Sequence, residues 1–176
     1  MTANLELGNL NAANRAAFVS MVAPLFEGAP RFLDRLAAAR PFDDVESMFA
    51  EARETAHAMP EIEQIELIDA HPRLGAPPST VSRMSFREQG YDLDVAISAE
   101  AVRAAVAAEL ERLNAAYEAR FGFRYCVHVA GRSRAALLPA MAAALDEDPD
   151  TERHRALDAV VDIARDRLTA MVGPTT

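Results

Sequence analysis

Alanine fills 37 of the 176 positions, about 21% of the chain, and alanine is the strongest helix former because its side chain loses no rotamer freedom when the backbone is ordered. A chain of this kind is expected to be all-α. Its length favours one domain around one core. With 51% hydrophobic and 26% charged residues it lies well away from the disordered regime. The expectation is a single-domain multi-helix bundle spanning residues 1–176.

The apolar spacing divides the chain into helices. Asn11 is a candidate cap for a helix carrying Phe18, Met21, Val22 and Leu25, punctuated by Gly28 and Pro30. A second helix runs from Arg31 to Arg40 and stops at Pro41. A third opens at Asp43 or Asp44 and ends near Pro60, and a fourth runs from Glu61 through Ile62, Ile65 and Ile68. It must finish before Pro72, which biases His71 away from the α region. After the break at Ala76-Pro77-Pro78-Ser79-Thr80 comes a short helix around Val81–Gln89, then the longest, Ser98–Phe121, with Val102, Val106, Leu110, Leu113, Tyr117 and Phe121 on one stripe. Ser133 caps a helix that contains Pro139. Asp148 and Pro149 open the last, whose Leu157, Val161, Ala164, Leu168 and Met171 fall at a and d spacing and whose stop is Gly173-Pro174.

One stretch departs from this pattern. Between about 123 and 130, Phe123, Tyr125, Val127 and Val129 alternate with Arg124, Cys126, His128 and Ala130, the period of an extended segment. No partner strand is evident. Its backbone polar groups must find partners elsewhere, in a ligand or in side chains and water.

Composition excludes several chemistries. All 18 basic residues are Arg, so a Schiff-base lysine, a pyridoxal-phosphate attachment and a P-loop lysine are ruled out. The single Cys126 cannot form an internal disulfide or a Cys-rich zinc site, and no two of the four His have the spacing of a helical metal pair, so no metal is expected. A net charge of −9 argues against nucleic acid and against an anionic membrane surface. No run of about 18 apolar residues and no basic, then apolar, N-terminus is present, and a cytoplasmic location is expected.

Three features carry candidate chemistry. His71 directly follows an apolar helix and is held by Pro72 at the mouth of a loop; it is either a proton-transfer group or a helix-ending histidine beside the carbonyl dipole. In the short helix, Ser85, Glu88 and Gln89 share a face with Val81 and Met84, an array able to hydrogen-bond a polar ring, unless Phe86 marks the buried face and the three are solvated. Arg120 lies seven residues after Leu113, within about 20° of the same stripe at ~100° per residue. It either meets an anion inside or snorkels at the helix end.

The blocks His71-Pro72-Arg73-Leu74-Gly75, Ser85-Phe86-Arg87-Glu88-Gln89 and Leu113-Asn114-Ala115-Ala116-Tyr117-Glu118-Ala119-Arg120-Phe121-Gly122-Phe123, in that order, resemble those of the 2-oxo-4-hydroxy-4-carboxy-5-ureidoimidazoline (OHCU) decarboxylases of urate breakdown. The resemblance runs from about Phe18 to Leu168, and Glu27 with Pro30 matches an early Glu-x-x-Pro. It implies an all-α enzyme that needs no cofactor, commonly dimerises, and makes (S)-allantoin and carbon dioxide from a ureidoimidazoline. By resemblance His71 and Glu88 are catalytic, Arg120, Ser85 and Gln89 bind substrate, and Pro72 shapes the pocket. Phe123, Tyr125, Cys126 and Val127 belong to the stretch whose backbone amides face the ligand. The chain departs from many members in having Arg124 where they have Pro, and in its short, Pro-rich loop after Gly75. Two alternatives stay open from the sequence: a lyase acting on a related ureide, and a non-catalytic helical interaction module.

Overall fold

A computed structural model describes residues 5–77, 79, 81, 88, 89 and 100–172. Among them are eight α-helices and no strand: α1 (Leu7–Ala12), α2 (Arg15–Val22), α3 (Pro30–Ala38), α4 (Val45–Ala58), α5 (Glu61–Asp69), α6 (Glu100–Phe121), α7 (Arg134–Ala144) and α8 (Pro149–Val172). The all-α expectation holds. The expected helix over Val81–Gln89, the start of the longest helix at Ser98 and the Gly173-Pro174 stop fall wholly or mostly outside the described residues. The chain clusters into two compact units, one formed by the residues up to His71 together with those from Leu157 onward, the other by Pro72–Ala156.

In the first unit, α2 packs on α3, and α3 on α4 and α5. Phe18, Val22, Phe32, Leu33, Leu36, Met48, Phe49, Leu67 and Ile68 are buried, so each helix turns its apolar face inward. The start of α4 follows from sequence chemistry: Asp44 accepts from the Ser47 amide at 2.6 Å and the Ser47 hydroxyl bonds back to the Asp44 amide at 3.0 Å, a reciprocal cap. The cap of α2 is Asn14, not Asn11. Asn11 lies inside the short α1, and its amide brackets the backbone of Phe42, donating to its carbonyl at 2.8 Å and accepting from its N–H at 3.0 Å. Two nearby asparagines offer the same local signal, and a contact across 31 residues decides between them.

The α8 residues of this unit are buried over a broad arc that includes Leu157, Val160, Val161, Ala164 and Leu168. A wide arc marks a core helix rather than a narrow coiled-coil seam. Arg53 of α4 pairs with Asp158, and with Asp162 at 2.8 Å, while His57 lies 2.8 Å from Asp158. His57 is therefore partly buried in an ion-pair cluster.

In the second unit, α6 packs on α7. The α6 stripe is buried only from Leu110 onward, through Leu113, Asn114 and Tyr117; Val102 is 51% exposed, contrary to the expected continuous stripe. α7 begins at the Ser133 cap and runs through Pro139 to Ala144, and α8 begins at Pro149 behind Asp148, whose carboxylate accepts from the amides of Asp150 and Thr151 at 3.0 and 3.1 Å. Between α6 and α7 the stretch 124–129 has no regular secondary structure, with Phe123, Tyr125, Cys126 and Val129 buried. Among the described residues no strand or ladder forms over this stretch.

Candidate active site

His71 closes the first unit, two residues past α5. Its amide donates to the Ile68 carbonyl at 3.1 Å, and Pro72 ends the helical run. The side chain is buried, 4% exposed, with Nδ1 at 3.3 Å from the Leu67 carbonyl. A carbonyl can only accept, so the proton sits on Nδ1 and Nε2 carries the lone pair.

Burial pushes the imidazole down from its usual value near 6.5 to about 4, and the Arg167 guanidinium acts in the same direction; the Leu67 carbonyl and the Glu27 carboxylate oppose them less strongly. Arg167 itself is buried at 2% and donates to Glu27 at 2.8 Å and to the carbonyls of Pro24 and Leu25 at 3.1 and 3.2 Å. Glu27 stands in the left-handed region at φ 51, followed by Gly28 at φ 79. Arg167 was not singled out from sequence, although it falls four residues after Ile163 and seven after Val160, on the apolar face of α8.

The depressed His71 value predicts a pH dependence of stability. Above pH 6.5 the imidazole is neutral in both folded and unfolded chains. Between about 6.5 and 4 the unfolded chain binds a proton that the folded one refuses, so stability falls as pH falls. Urea denaturation at pH 7 and pH 4.5 should show wild type losing on the order of 2 kcal/mol more than His71→Gln over that interval. Equal losses would mean that the imidazole is not held neutral by the fold.

The loop after Pro72 is gripped from two sides within the second unit. Gln89, buried at 6%, accepts from the Gly75 amide at 2.8 Å and donates to the Arg73 carbonyl at 3.2 Å. Asn114 of α6 donates to the Leu74 carbonyl at 2.9 Å. Gly75 has φ +81, and a Cβ there would lie 3.1 Å from Leu110 Cδ1. Gly75→Ala should therefore cost about 1–3 kcal/mol in urea denaturation, and a change below a few tenths would show that the loop adapts freely.

The other expected site residues also belong to the second unit. Glu88 is half-buried and helical, and Ser85 lies outside the described residues. Arg120, expected on the buried stripe, is exposed at the end of α6, where it donates to the Glu147 carbonyl at 3.0 Å and its guanidinium lies 5.1 Å from the Phe121 ring centre. The helix-end alternative is the one the structure adopts, because α6 finishes one residue later at Phe121. Phe123 and Tyr125 pack edge-on against Tyr117, at 5.7 and 5.1 Å between ring centres. Cys126 is buried and Val127 half-buried. A groove of about 600 Å³ on the first unit, lined by Ser47, Phe49, Arg53 and Arg165 among others, contains none of these residues. Within it Arg165 pairs with Glu46 at 2.6 Å. No group of three metal-ligating side chains occurs among the described residues.

The buried His71 and the residues that follow it to Gly75 make up the first of the blocks on which the sequence resemblance rests. The family model for OHCU decarboxylase matches residues 11–169. The chain belongs to the OHCU decarboxylase family. A 2-oxo-4-hydroxy-4-carboxy-5-ureidoimidazoline decarboxylase of Haloferax volcanii is 27% identical over 164 residues, covering 93% of this chain and 94% of the relative. Its counterpart in Mus musculus is 26% identical over 173 residues, covering 96% and 94%. The uric acid degradation bifunctional protein PucL of Bacillus subtilis is 28% identical over 166 residues, which are 94% of this chain and 32% of that protein. A crystal structure of an OHCU decarboxylase in the presence of (S)-allantoin superposes with a TM-score of 0.65 at 21% identity, covering 85% of this chain and 94% of that one. That likeness shows the OHCU decarboxylase fold. No helix among the described residues is long and apolar enough to cross a membrane.

Proposed function

We propose that this member of the OHCU decarboxylase family converts 2-oxo-4-hydroxy-4-carboxy-5-ureidoimidazoline to (S)-allantoin and carbon dioxide in urate breakdown. The observation that carries the reading is His71: a buried imidazole, kept neutral, in a chain matched to the family from residue 11 to residue 169. The two compact units together form one OHCU decarboxylase-like domain, a reading supported by a match that runs through both.

Loss of the carboxylate leaves an electron pair at the ring carbon bearing the hydroxyl. The adjacent imine accepts it: a carbon–carbon double bond forms, the imine electrons move to nitrogen, and that nitrogen takes a proton. The resulting enol loses its hydroxyl proton as the carbonyl forms, and the neighbouring carbon gains one. His71 Nε2, with its lone pair outward from the Leu67 contact, is the acceptor suited to the hydroxyl proton. An approaching substrate carboxylate raises the imidazole from about 4 toward neutrality, so binding improves the base. Delivery of the carbon-bound proton to one face makes the S centre.

Glu88 receives the ureido and ring N–H groups, and Ser85 adds a hydroxyl contact. Pro72 shapes the pocket beside His71. The backbone amides of the Phe123–Tyr125–Cys126–Val127 stretch hold the ring oxygen on which charge develops, joined by Arg120 once its guanidinium leaves the Glu147 carbonyl for the substrate. Gln89 contributes through the loop it grips. The setting is the cytosol, in keeping with a single, buried cysteine outside any disulfide. The active form is a homodimer, whose interface must lie away from the Leu157–Leu168 face of α8, since that face is buried within its own chain.

The reading is tested with substrate generated in place from urate and hydroxyisourate hydrolase, following (S)-allantoin by circular dichroism. A chiral signal rising well ahead of the spontaneous, racemic decay is the expected result. A rate no faster than buffer overturns it and directs the search to related ureides.

A further inference from the structure

We propose that Tyr117, Glu152 and Arg155 form a clamp on Tyr125 that sets the position of the extended segment, making Glu152 and Arg155 positioning residues for substrate binding. The second half of this statement rests on the decarboxylase reading; the clamp itself does not.

A stretch that pairs with no strand among the described residues is held by its side chains and by the groups that bond its backbone; Arg132 donates to the carbonyls of His128 and Val129 at 2.6 and 3.0 Å at its far end, which leaves the Tyr125 end to its side chains. Tyr125 is the side chain best placed to do this. Its ring, 3% exposed, has the Arg155 guanidinium 4.9 Å from its centre, and Tyr117 meets it nearly edge-on at 79°. Both neighbours are themselves fixed by one carboxylate. The fully buried Tyr117 hydroxyl donates to Glu152 Oε1 at 2.7 Å, and Arg155 Nε donates to both oxygens of Glu152 at 2.9 Å, with Nη2 reaching Oε1 at 2.6 Å. Glu152 is 1% exposed. Burial and the adjacent Glu152 carboxylate push the Tyr117 hydroxyl well above its ordinary range, so it remains a donor.

The placement of charge argues for a positional role. A buried carboxylate with its ion-pair partner is no more stabilising than well-packed apolar side chains of the same volume, and is often less so. What it adds is direction: a planar guanidinium bound at two points, then laid on an aromatic face, tolerates little rotation. Tyr125 immediately precedes Cys126 and Val127. Because each peptide unit is planar and the chain is continuous, a shift at Tyr125 displaces the Cys126 amide that follows it.

Cys126 is the sole thiol of the chain and is buried at 5%, so its alkylation reports on the segment without reference to activity. In Arg155→Met, labelling by iodoacetamide well below the melting temperature should be at least tenfold faster than in wild type, and KM for the ureidoimidazoline should rise at least fivefold, with kcat falling as well because the amides of this segment face the oxygen on which charge develops. Arg155→Lys, which keeps the charge and loses the planar fork, should fall between the two. Tyr117→Phe keeps the ring and removes one bond; it should raise labelling about threefold, and it decides the matter if Arg155→Met does not fold. Labelling and KM at wild-type values in the folded variants, with only the melting temperature lowered, would reduce the group to a structural ion pair and overturn the proposal. If the wild-type protein does not turn over the substrate, the KM arm fails with the decarboxylase reading, and the labelling rates still decide the clamp.

Discussion

His71→Asn is expected to lower kcat by about 100- to 10,000-fold, the range that a positioned general acid or base contributes, while leaving the melting temperature within a few degrees of wild type. The amide of Asn can donate to the Leu67 carbonyl that Nδ1 now faces at 3.3 Å, so the local helix end keeps its partner. It offers no basic lone pair where Nε2 stands. A loss of that size corresponds to roughly 3–5 kcal/mol of transition-state stabilisation, more than a packing change at one buried polar side chain would give. The rate is read as the growth of the (S)-allantoin signal in circular dichroism. Residual product should be racemic, because the uncatalysed path delivers its proton to both faces. Full turnover in the variant would remove the role assigned to His71.

Arg167→Met is expected to destabilise the protein by about 3 kcal/mol, the lower end of the range for breaking a buried ion pair. The lower end applies because the Glu27 side chain keeps 22% of its exposure and so some contact with water. The carbonyls of Pro24 and Leu25 lose a donor at the same time. Adding Glu27→Gln in the same background should recover part of the loss, since it removes the carboxylate left without its cation; full additivity would show that the two side chains act independently. Urea denaturation at pH 7 measures both. The same substitution should raise the His71 pKa from its value of about 4, because the positive charge that helps hold the ring neutral is gone while Glu27 remains. In Arg167→Met the slope of stability against pH below 6.5 should therefore flatten.

What could be read from the sequence was what neighbours along the chain decide. The start of α4 was legible to within one residue, Asp43 or Asp44, and the reciprocal bonds between Asp44 and Ser47 decide it. The end of α5 was legible because Pro72 leaves His71 nowhere to continue. The resemblance named His71, and the helix end predicted from Pro72 is the one observed. Where packing decides, the pattern misled. Val102 has the spacing of a core residue and is half-exposed, since spacing states which residues share a face and not what covers it. Arg120 lies in phase with Leu113, but the helix ends one residue later and its guanidinium turns to the Glu147 carbonyl. Arg167 and Glu152 show the opposite error. Each stands on a predominantly apolar face of α8, and a charged residue is ordinarily taken as a break in such a face rather than as part of it. Their partners, Glu27 and Tyr117, lie 140 and 35 residues away, so no local window joins them.

Glu27 has a consequence for how this turn tolerates change. A side chain at φ 51 costs about 1–3 kcal/mol relative to a residue at ease there, and glycine, which already follows at position 28, is at ease there. Glu27→Gly would therefore relax the backbone and abandon Arg167 in one step, two effects of opposite sign and similar size. Screening for stabilised variants by melting temperature alone would register almost nothing at this position, although the histidine at the end of α5 would have lost one of the two opposing charges that set its proton affinity.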